Sequence, residues 1–404
     1  MVKKVKVAVI GSGSISYTYL RNMTQTFHIT EVVGCSDLIE ERSRRRAEQF
    51  GVRMMTNEEI LSDPEIEIVV NLTYPISHYE VTKAALEAGK HVHTEKMLAT
   101  NYKDAKELFD LAEKSNLRIS AAPDTFLGAG LQTARKLIDS GFIGTPFGAQ
   151  AMVLRGYHLT GEVKSDRLPF VCYEGGNIPY DMGGYYMHAL VALLGPAKRV
   201  AGFSRSFLPE ITQRNPRHPD YHVPIPFNSD SIMSGNIEFH NGVFAGLTIV
   251  SESHLMEMPR FEIYGTEGTL ILPDPNTFAG PVYLIRGKEV FRNYRSLAEN
   301  AIPLTHGYGN EETPDPGVGT WEERMWRDCH RGIGVADLAW AIRNGRPHRC
   351  SAELGLHAIE VIYGIENSHK EDKFYTLLSK PAQPEPIPSG FIYGTAAEEC
   401  LDTK

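Results

Sequence analysis

Residues Lys4 to Ser16 read KVKVAVIGSGSIS, an apolar run that stops abruptly in a glycine–serine turn. Val5, Val7, Ala8, Val9 and Ile10 first alternate and then run together, the pattern of a strand that becomes buried along its length. Gly11-Ser12-Gly13-Ser14-Ile15-Ser16 follows at once, and the stretch through Tyr19 and Leu20 suits a helix. Gly11 permits the tight turn, Gly13 lets the backbone approach a pyrophosphate, and Ser16 is small enough for close helix–strand packing. The phosphates would rest on the free N–H groups at the helix start. A strand, this turn and a helix in that order predict a dinucleotide-binding unit.

An acidic residue follows at the distance such a unit requires. Glu31 to Asp37 reads as a second strand ending in a carboxylate, about 20 residues beyond the glycines. That carboxylate accepts hydrogen bonds from ribose hydroxyls and repels a 2′-phosphate, so NAD is favoured over NADP. Arg42, Arg44, Arg45 and Arg46 could favour NADP, but their spacing inside the next helix predicts that they face solvent.

The alternation continues. Residues 40–50, 56–62, 78–88 and 102–115 have helical patterns, and 66–72, 91–94 and 117–121 read as buried strands. This predicts a doubly wound parallel sheet, a Rossmann arrangement, over residues 1–125. Ligands of such sheets bind at the carboxyl ends of the strands, here residues 11–16, 37, 73–78, 95–97 and 123–125. Beyond a helix at 130–140 the runs at 147–155, 199–207, 231–239, 243–251, 260–264, 269–272 and 282–285 are β-like. Asn241-Gly242 is a hairpin signal between two of them. Helical patterns return at 321–344 and 352–368. A second, α+β domain over 126–380 with an open, mostly antiparallel sheet is therefore expected. Residues 208–228 look like an inserted loop, and 381–404 like an extended arm.

Composition narrows the partners. The 404 residues exceed one ordinary core. A net charge of −9 argues against nucleic acid or an anionic membrane as partner. No run reaches the length of a membrane span, and the chain begins on its first strand without a secretory leader, which predicts a cytoplasmic protein. The five cysteines form no CxxC pair and read as reduced thiols. His91 and His93 offer two ligands without a third, so no metal is expected.

Two stretches concentrate reactive groups. His91 to Met97 (HVHTEKM) places Lys96 at the carboxyl end of a strand, beside the nicotinamide half of a dinucleotide. A lysine at a dry site has a lowered pKa, and its charge stabilises a developing alkoxide. The second stretch, Gly175 to His188, leads into a helix on which Asp181, Tyr185 and His188 stand at i, i+4 and i+7. A carboxylate, a phenol and an imidazole on one face can support proton transfer, and can equally be packing groups.

These motifs together resemble the family of glucose–fructose oxidoreductase, inositol dehydrogenase and MocA-type proteins. AVIGSGSIS is similar to its cofactor loop, AALEAGKHVHTEKM to its AALxAGKHVxxEKP signature, DMGGYYMH to its DxGxHxxD helix, and FEIYGTEGTLILPDP to its late strands. The resemblance implies an NAD(P)-dependent oxidoreductase acting on sugars, polyols or their derivatives. It implies Lys96 as the catalytic lysine, preceded by Glu95, and Asp181 as the helix aspartate. Tyr185 stands where the family commonly has its acid/base histidine, and some sugar-oxidising members resemble this chain there. A neighbouring positive charge would lower the pKa of such a tyrosine. His188 stands at the motif's final aspartate, and Met97 at its proline. Thr73, Pro75 and His78 resemble the loop beside the cofactor. Tyr157, His158, Asp166, Arg167 and Tyr173 could line a sugar pocket. Homodimers or homotetramers are implied by the same resemblance. Two other readings share these residues: a glycoside-modifying enzyme with tightly held NAD and a transient keto-sugar, and a non-catalytic sensor of nucleotide or sugar.

Overall fold

The computed structural model describes residues 3–155, 175–207, 210–212, 216, 221–226, 230–251, 253, 260–286, 300–306 and 329–389. Tyr157, His158, Asp166, Arg167 and Tyr173 lie outside these residues, as do 321–328 of the expected helix and 390–404 of the arm.

The first sheet contains β1 (Val5–Ile10), β2 (Thr30–Ser36), β3 (Arg53–Met54), β4 (Ile68–Asn71), β5 (His91–Thr94) and β6 (Ile119–Ala121), ordered β3-β2-β1-β4-β5-β6. Every pairing is parallel. The connecting helices are α1 (Ser16–Arg21), α2 (Glu40–Phe50), α3 (Asn57–Ser62), α4 (Pro75–Glu87) and α5 (Tyr102–Ser115). Local signals set their starts: Thr56 and Glu59 form a capping box for α3, Pro75 opens α4, and the Asn101 side chain caps α5. Ile10 stands opposite Ser36 and Asn71, Asn71 opposite Thr94, and Thr94 opposite Ala121. The strands thus end in line, so Gly11, Asp37, Leu72, Glu95 and Ala122 leave the sheet along one edge.

The chain then forms α6 (Ala129–Asp139) and enters a nine-stranded sheet. Its strands are β7 (Pro146–Leu154), β8 (Ala197–Arg205), β11 (Ile232–Phe239), β12 (Phe244–Val250), β13 (Arg260–Gly265), β14 (Gly268–Ile271), β15 (Val282–Arg286), β16 (Ala301–Ile302) and β17 (Tyr375–Thr376). Their order is β16-β15-β14-β13-β7-β12-β11-β8-β17, antiparallel except for the β7–β12 pair. Asn241-Gly242 does turn β11 into β12. The inserted loop is partly structured: β9 (Glu210–Thr212) and β10 (Pro224–Pro226) pair antiparallel within it. Its proline and histidine content hid this ribbon from a periodicity argument.

One face of the second sheet, with Met233, Ile237, Leu247 and Ile249 fully buried, packs beneath α7 (Ile178–Leu194) and α9 (Ala352–Glu371). The other face leaves Phe203 and Phe244 exposed. α8 (Ile333–Asn344) and α9 also return to the first sheet, where they contact β6. Cys350 receives the Ala121 N–H on its carbonyl. The described part of the arm is extended and held at several points. Arg349 donates to the carbonyls of Glu385 and Pro386, Arg135 to that of Pro384, and Gln132 accepts the Ile387 N–H.

Candidate active site

The glycine turn lies at the edge where the parallel strands end. Gly11 has φ 102°, and a Cβ there would stand 2.6 Å from the Leu72 backbone. Only glycine allows the turn to pass so close to the neighbouring strand. No described atom lies within 4 Å of where a Cβ on Gly13 would be, which leaves open space against the loop. Ser14 Oγ and Thr18 Oγ1 are buried without a hydrogen-bond partner among the described residues. Open space at Gly13 and an unpaired hydroxyl on the next residue, Ser14, at a helix start suit a pyrophosphate. Asp37 accepts the Ser12 N–H at 2.7 Å and the Ile39 N–H at 2.8 Å, which fixes its carboxylate at the end of β2. Ile15 is the N-cap of α1.

One arginine departs from expectation. Arg44 and Arg45 are exposed, but Arg46 is fully buried beneath the loop. Its guanidinium donates to Ser16 Oγ at 3.1 Å and the Gly13 carbonyl at 3.3 Å, and its Cζ lies 5.5 Å from the Tyr17 ring centre. Helical spacing placed it on the inner face of α2, where the loop's own oxygens satisfy it.

The next loops are tied together. Asn71 accepts the N–H and hydroxyl of Thr73 on its side-chain oxygen. His78, fully buried on α4, sets Nε2 3.0 Å from the Thr73 carbonyl and Nδ1 2.7 Å from the Met97 carbonyl. Burial outweighs the two carbonyls and lowers its pKa. His78 thereby joins the turn after β4 to the turn after β5; Pro75 starts the helix that carries it.

Lys96 follows β5, and the Lys96–Met97 peptide is cis. Its Nζ pairs with Asp181 Oδ1, the two side chains being 18% and 16% exposed. Asn177 caps α7 by accepting the Tyr180 N–H, and this puts Asp181 in the first turn. A Cβ on Gly184 would stand 2.6 Å from Met97 Sδ, so this glycine lets α7 settle on the lysine loop. Lys96 Nζ lies 5.5 Å from the Tyr185 ring centre. Burial presses the lysine pKa down, but Asp181, Tyr185 and Glu95 outweigh it and hold the pKa above the ordinary value. The expected lowered lysine is corrected: dryness alone would lower it, and its carboxylate partners reverse the sign.

Behind this pair lies a buried polar cluster. Arg331 Nη2 donates to Tyr185 Oη at 2.8 Å and to Asn276 Oδ1 at 3.0 Å, and Nη1 lies 3.6 Å from Glu95 Oε1. The Arg331 and Glu95 side chains are 6% and 9% exposed. Glu95 accepts from the Tyr19 hydroxyl at 2.8 Å and from the Lys96 N–H at 3.1 Å. Burial pushes Glu95 up, but Arg331, Lys96 and Tyr19 leave it below the usual carboxylate value. Tyr185 is raised instead, because burial outweighs the opposing pull of Arg331 and Lys96. The expectation that positive charge would leave this phenol lowered is corrected: here burial, not the charged partners, sets the sign.

Comparisons with known proteins bear on the fold and the family. The family model described as "Oxidoreductase family, NAD-binding Rossmann fold" matches residues 5–122, and "GFO/IDH/MocA C-terminal domain" matches 131–271. The uncharacterized oxidoreductase YhhX of Escherichia coli is 31% identical over 316 residues, which covers 76% of this chain and 79% of YhhX. The chain belongs to the GFO/IDH/MocA family. It spans about half the length of two fission-yeast oxidoreductases that it also matches. An inositol 2-dehydrogenase/D-chiro-inositol 3-dehydrogenase of Lactiplantibacillus plantarum is 30% identical over 145 residues, 35% of this chain and 41% of that protein. A levoglucosan dehydrogenase solved with NADH shares the fold with a TM-score of 0.71 at 20% identity, covering 93% of this chain and all of that one.

Against the family's signatures, the structure brings Lys96, Asp181 and Tyr185 together and places Glu95 behind them. His188 does not join the group through any contact among the described residues. Its Nδ1 lies 3.1 Å from the Pro123 carbonyl and its ring packs edge-on against Phe126. Burial lowers its pKa to about 4, so it is neutral. Sequence reasoning missed Arg331, Asn276, Tyr19 and Asp124. Asp124 lies in the turn after β6, within the segment 123–125 expected to face a ligand, but nothing local marked Arg331, which reaches Tyr185 across 146 positions. Among the described residues, no group of three or more His, Cys, Asp or Glu side chains is placed to hold a metal ion. No helix there is long and apolar enough to cross a membrane.

Proposed function

We propose that the chain is a dehydrogenase for a secondary alcohol of a sugar or polyol that takes NAD in preference to NADP. The observation that carries this reading is the Lys96–Asp181 pair beside Tyr185, at the edge where the parallel strands end. Gly11, Ser12, Gly13, Ser14 and Ile15 would hold the pyrophosphate, Asp37 the adenosine ribose, and the Thr73 and Glu95 turns the nicotinamide side. A bound nicotinamide supplies the acceptor or donor of a hydride.

The protein's own groups handle the proton and the charge. Lys96 keeps its charge because Asp181 holds it, so it acts as a fixed cation beside the substrate oxygen rather than as a base. Tyr185 is then the group that exchanges the proton. As a neutral phenol it gives a proton to the oxygen of a carbonyl being reduced. In the reverse direction its phenolate takes the proton of the hydroxyl being oxidised. Small-molecule selectivity for sugars or polyols rests on relatives that include inositol dehydrogenases and on the likeness to levoglucosan dehydrogenase.

The test is NADH formation by the purified protein from NAD with levoglucosan, myo-inositol and a panel of aldoses, repeated with NADP. Turnover with at least one polyol or sugar, and a preference for NAD, is the expected result. Binding of neither dinucleotide would overturn the reading.

A further inference from the structure

We infer that Arg331 is the positioning residue that makes Tyr185 usable as an acid/base, by donating to the phenol oxygen and stabilising its deprotonated form. The inference rests on the proposal that Tyr185 exchanges the substrate proton. It stands on where the guanidinium is and on how firmly it is placed. Nη2 lies 2.8 Å from Tyr185 Oη, and a guanidinium can only donate. The phenol must therefore use a lone pair toward Arg331, which leaves its own O–H free to point elsewhere. Among the described residues none accepts that O–H.

Three separate parts of the chain fix the arginine. Asn22, in the π turn after α1, donates from Nδ2 to the Arg331 carbonyl at 2.8 Å. Asp124, in the turn after β6, accepts the Gly332 N–H at 2.9 Å and the Gly334 N–H at 3.1 Å, which clamps the backbone just after Arg331. Asn276, from the loop after β14, accepts from the same Nη2 that reaches Tyr185. A group held from both sheets and from the first helix is preorganised, and its field acts without reorganisation cost when charge develops on Tyr185.

The charges around the phenol are mixed. Among the described residues Arg331 and Lys96 favour the phenolate, while Glu95 and Asp181 oppose it, and Arg331 acts most strongly of the four. Lys96 is committed to Asp181, whereas Arg331 is the cation that bonds the reacting oxygen itself. Burial alone would leave Tyr185 a poor base; Arg331 offsets that burial at the one atom that matters. A lysine in its place would keep the charge but lack the second nitrogen, Nη1, that faces Glu95 while Nη2 serves Tyr185 and Asn276.

The experiment reads the phenol directly. In the full chain with NAD added, Tyr185 is replaced by meta-fluorotyrosine, and its fluorine resonance is followed against pH. Arg331→Met is expected to raise the ionisation midpoint by at least about one pH unit, a tenfold loss of phenolate at a given pH. Because that variant leaves Glu95 buried without its cation and could fail to fold, Arg331→Gln with Glu95→Gln is measured beside it. Its midpoint should also rise, since the guanidinium acts on the phenol more strongly than the carboxylate does. An unchanged midpoint in the folded variant overturns the inference. So does a phenol that never ionises in the native protein before it unfolds. Tyr185→Phe separates this from the acid/base reading. If it keeps full turnover on the best substrate of the panel, the acid/base role fails, whatever the fluorine titration shows. If turnover collapses while the midpoint ignores Arg331, only the present inference fails.

Discussion

The glycine loop and the polar cluster around Tyr185 each keep a guanidinium out of water, and they satisfy it by different means. Arg46 donates to neutral oxygens of the loop above it, Ser16 Oγ and the Gly13 carbonyl, with Gln49 at 2.8 Å beside it. Arg331 faces a buried carboxylate and the oxygen of a tyrosine. The first arrangement holds a shape, since neutral acceptors fix where the loop runs without titrating. The second holds a charge balance, in which Asp181 and Glu95 raise the proton affinity of Lys96 while Arg331 and Lys96 lower that of Glu95. Damage to the loop should therefore show in cofactor binding and stability, and damage to the cluster in turnover and its pH dependence.

Lys96→Met gives the largest effect and tests the second half of that contrast. Removing the fixed cation should lower turnover roughly a thousandfold, the scale of losing a principal electrostatic donor. The NAD dissociation constant, read by quenching of intrinsic fluorescence, should stay within about threefold. Equal losses in binding and turnover would show that the two regions are not separable. Gly11→Ala tests the other half. A side chain at φ 102° costs about 1–3 kcal/mol, and this one also meets the Leu72 backbone. NAD affinity should fall by roughly tenfold or more, and the urea midpoint should drop with it.

The same contrast explains what could be read from the chain in advance. The loop was legible because its parts are close in sequence: Arg46 reaches Ser16 across 30 positions, and the strand, turn and helix come in order. Even there Arg46 was misplaced, since spacing gives a helical face but not which face is covered. The parallel first sheet and the largely antiparallel second sheet followed from period and turn residues, as did the hairpin at Asn241-Gly242. Lys96 and Asp181 were found by motif. Arg331 was not, because its meaning comes only from packing against Tyr185, Glu95 and Asn276, three segments far apart in the chain. His188 went the other way: i+7 spacing put it with Asp181 and Tyr185, yet the Pro123 carbonyl and Phe126 hold it. The sign of the Lys96 shift depended on its carboxylate partners and that of Tyr185 on its burial, neither of which a linear reading weighs.

Gly184→Ala sharpens the comparison inside the second region, where α7 meets the lysine loop. The new methyl would meet Met97 Sδ, the movable end of a flexible side chain, so the fold should survive. The lysine loop must still shift by a fraction of an ångström against α7. Turnover should fall by roughly fivefold with NAD affinity unchanged, because small misplacements act on the reacting geometry first.

The smallest effect concerns Asp124, the clamp behind Arg331. Burial raises its pKa to about 6, well above the ordinary carboxylate value, against the pull of Arg331 and of the Gly334 and Gly332 N–H groups. The native state thus binds this proton more tightly than the unfolded chain does. The stability that this difference contributes is full at low pH and is lost as pH rises from about 4 through about 6. Asp124→Asn removes the titration while keeping a side-chain oxygen for the two glycine N–H groups. Buried groups common to both proteins, such as His188 and His93, then cancel in the difference. Between pH 5.5 and pH 7 the wild type should lose stability relative to Asp124→Asn in urea unfolding, by about 1 kcal/mol. A difference that stays flat, or that grows in the opposite direction, would mean that Asp124 is already ionised well below pH 5.5. The negative charge behind Arg331 would then be permanent, and the cluster would hold its balance across the whole neutral range rather than only above pH 6.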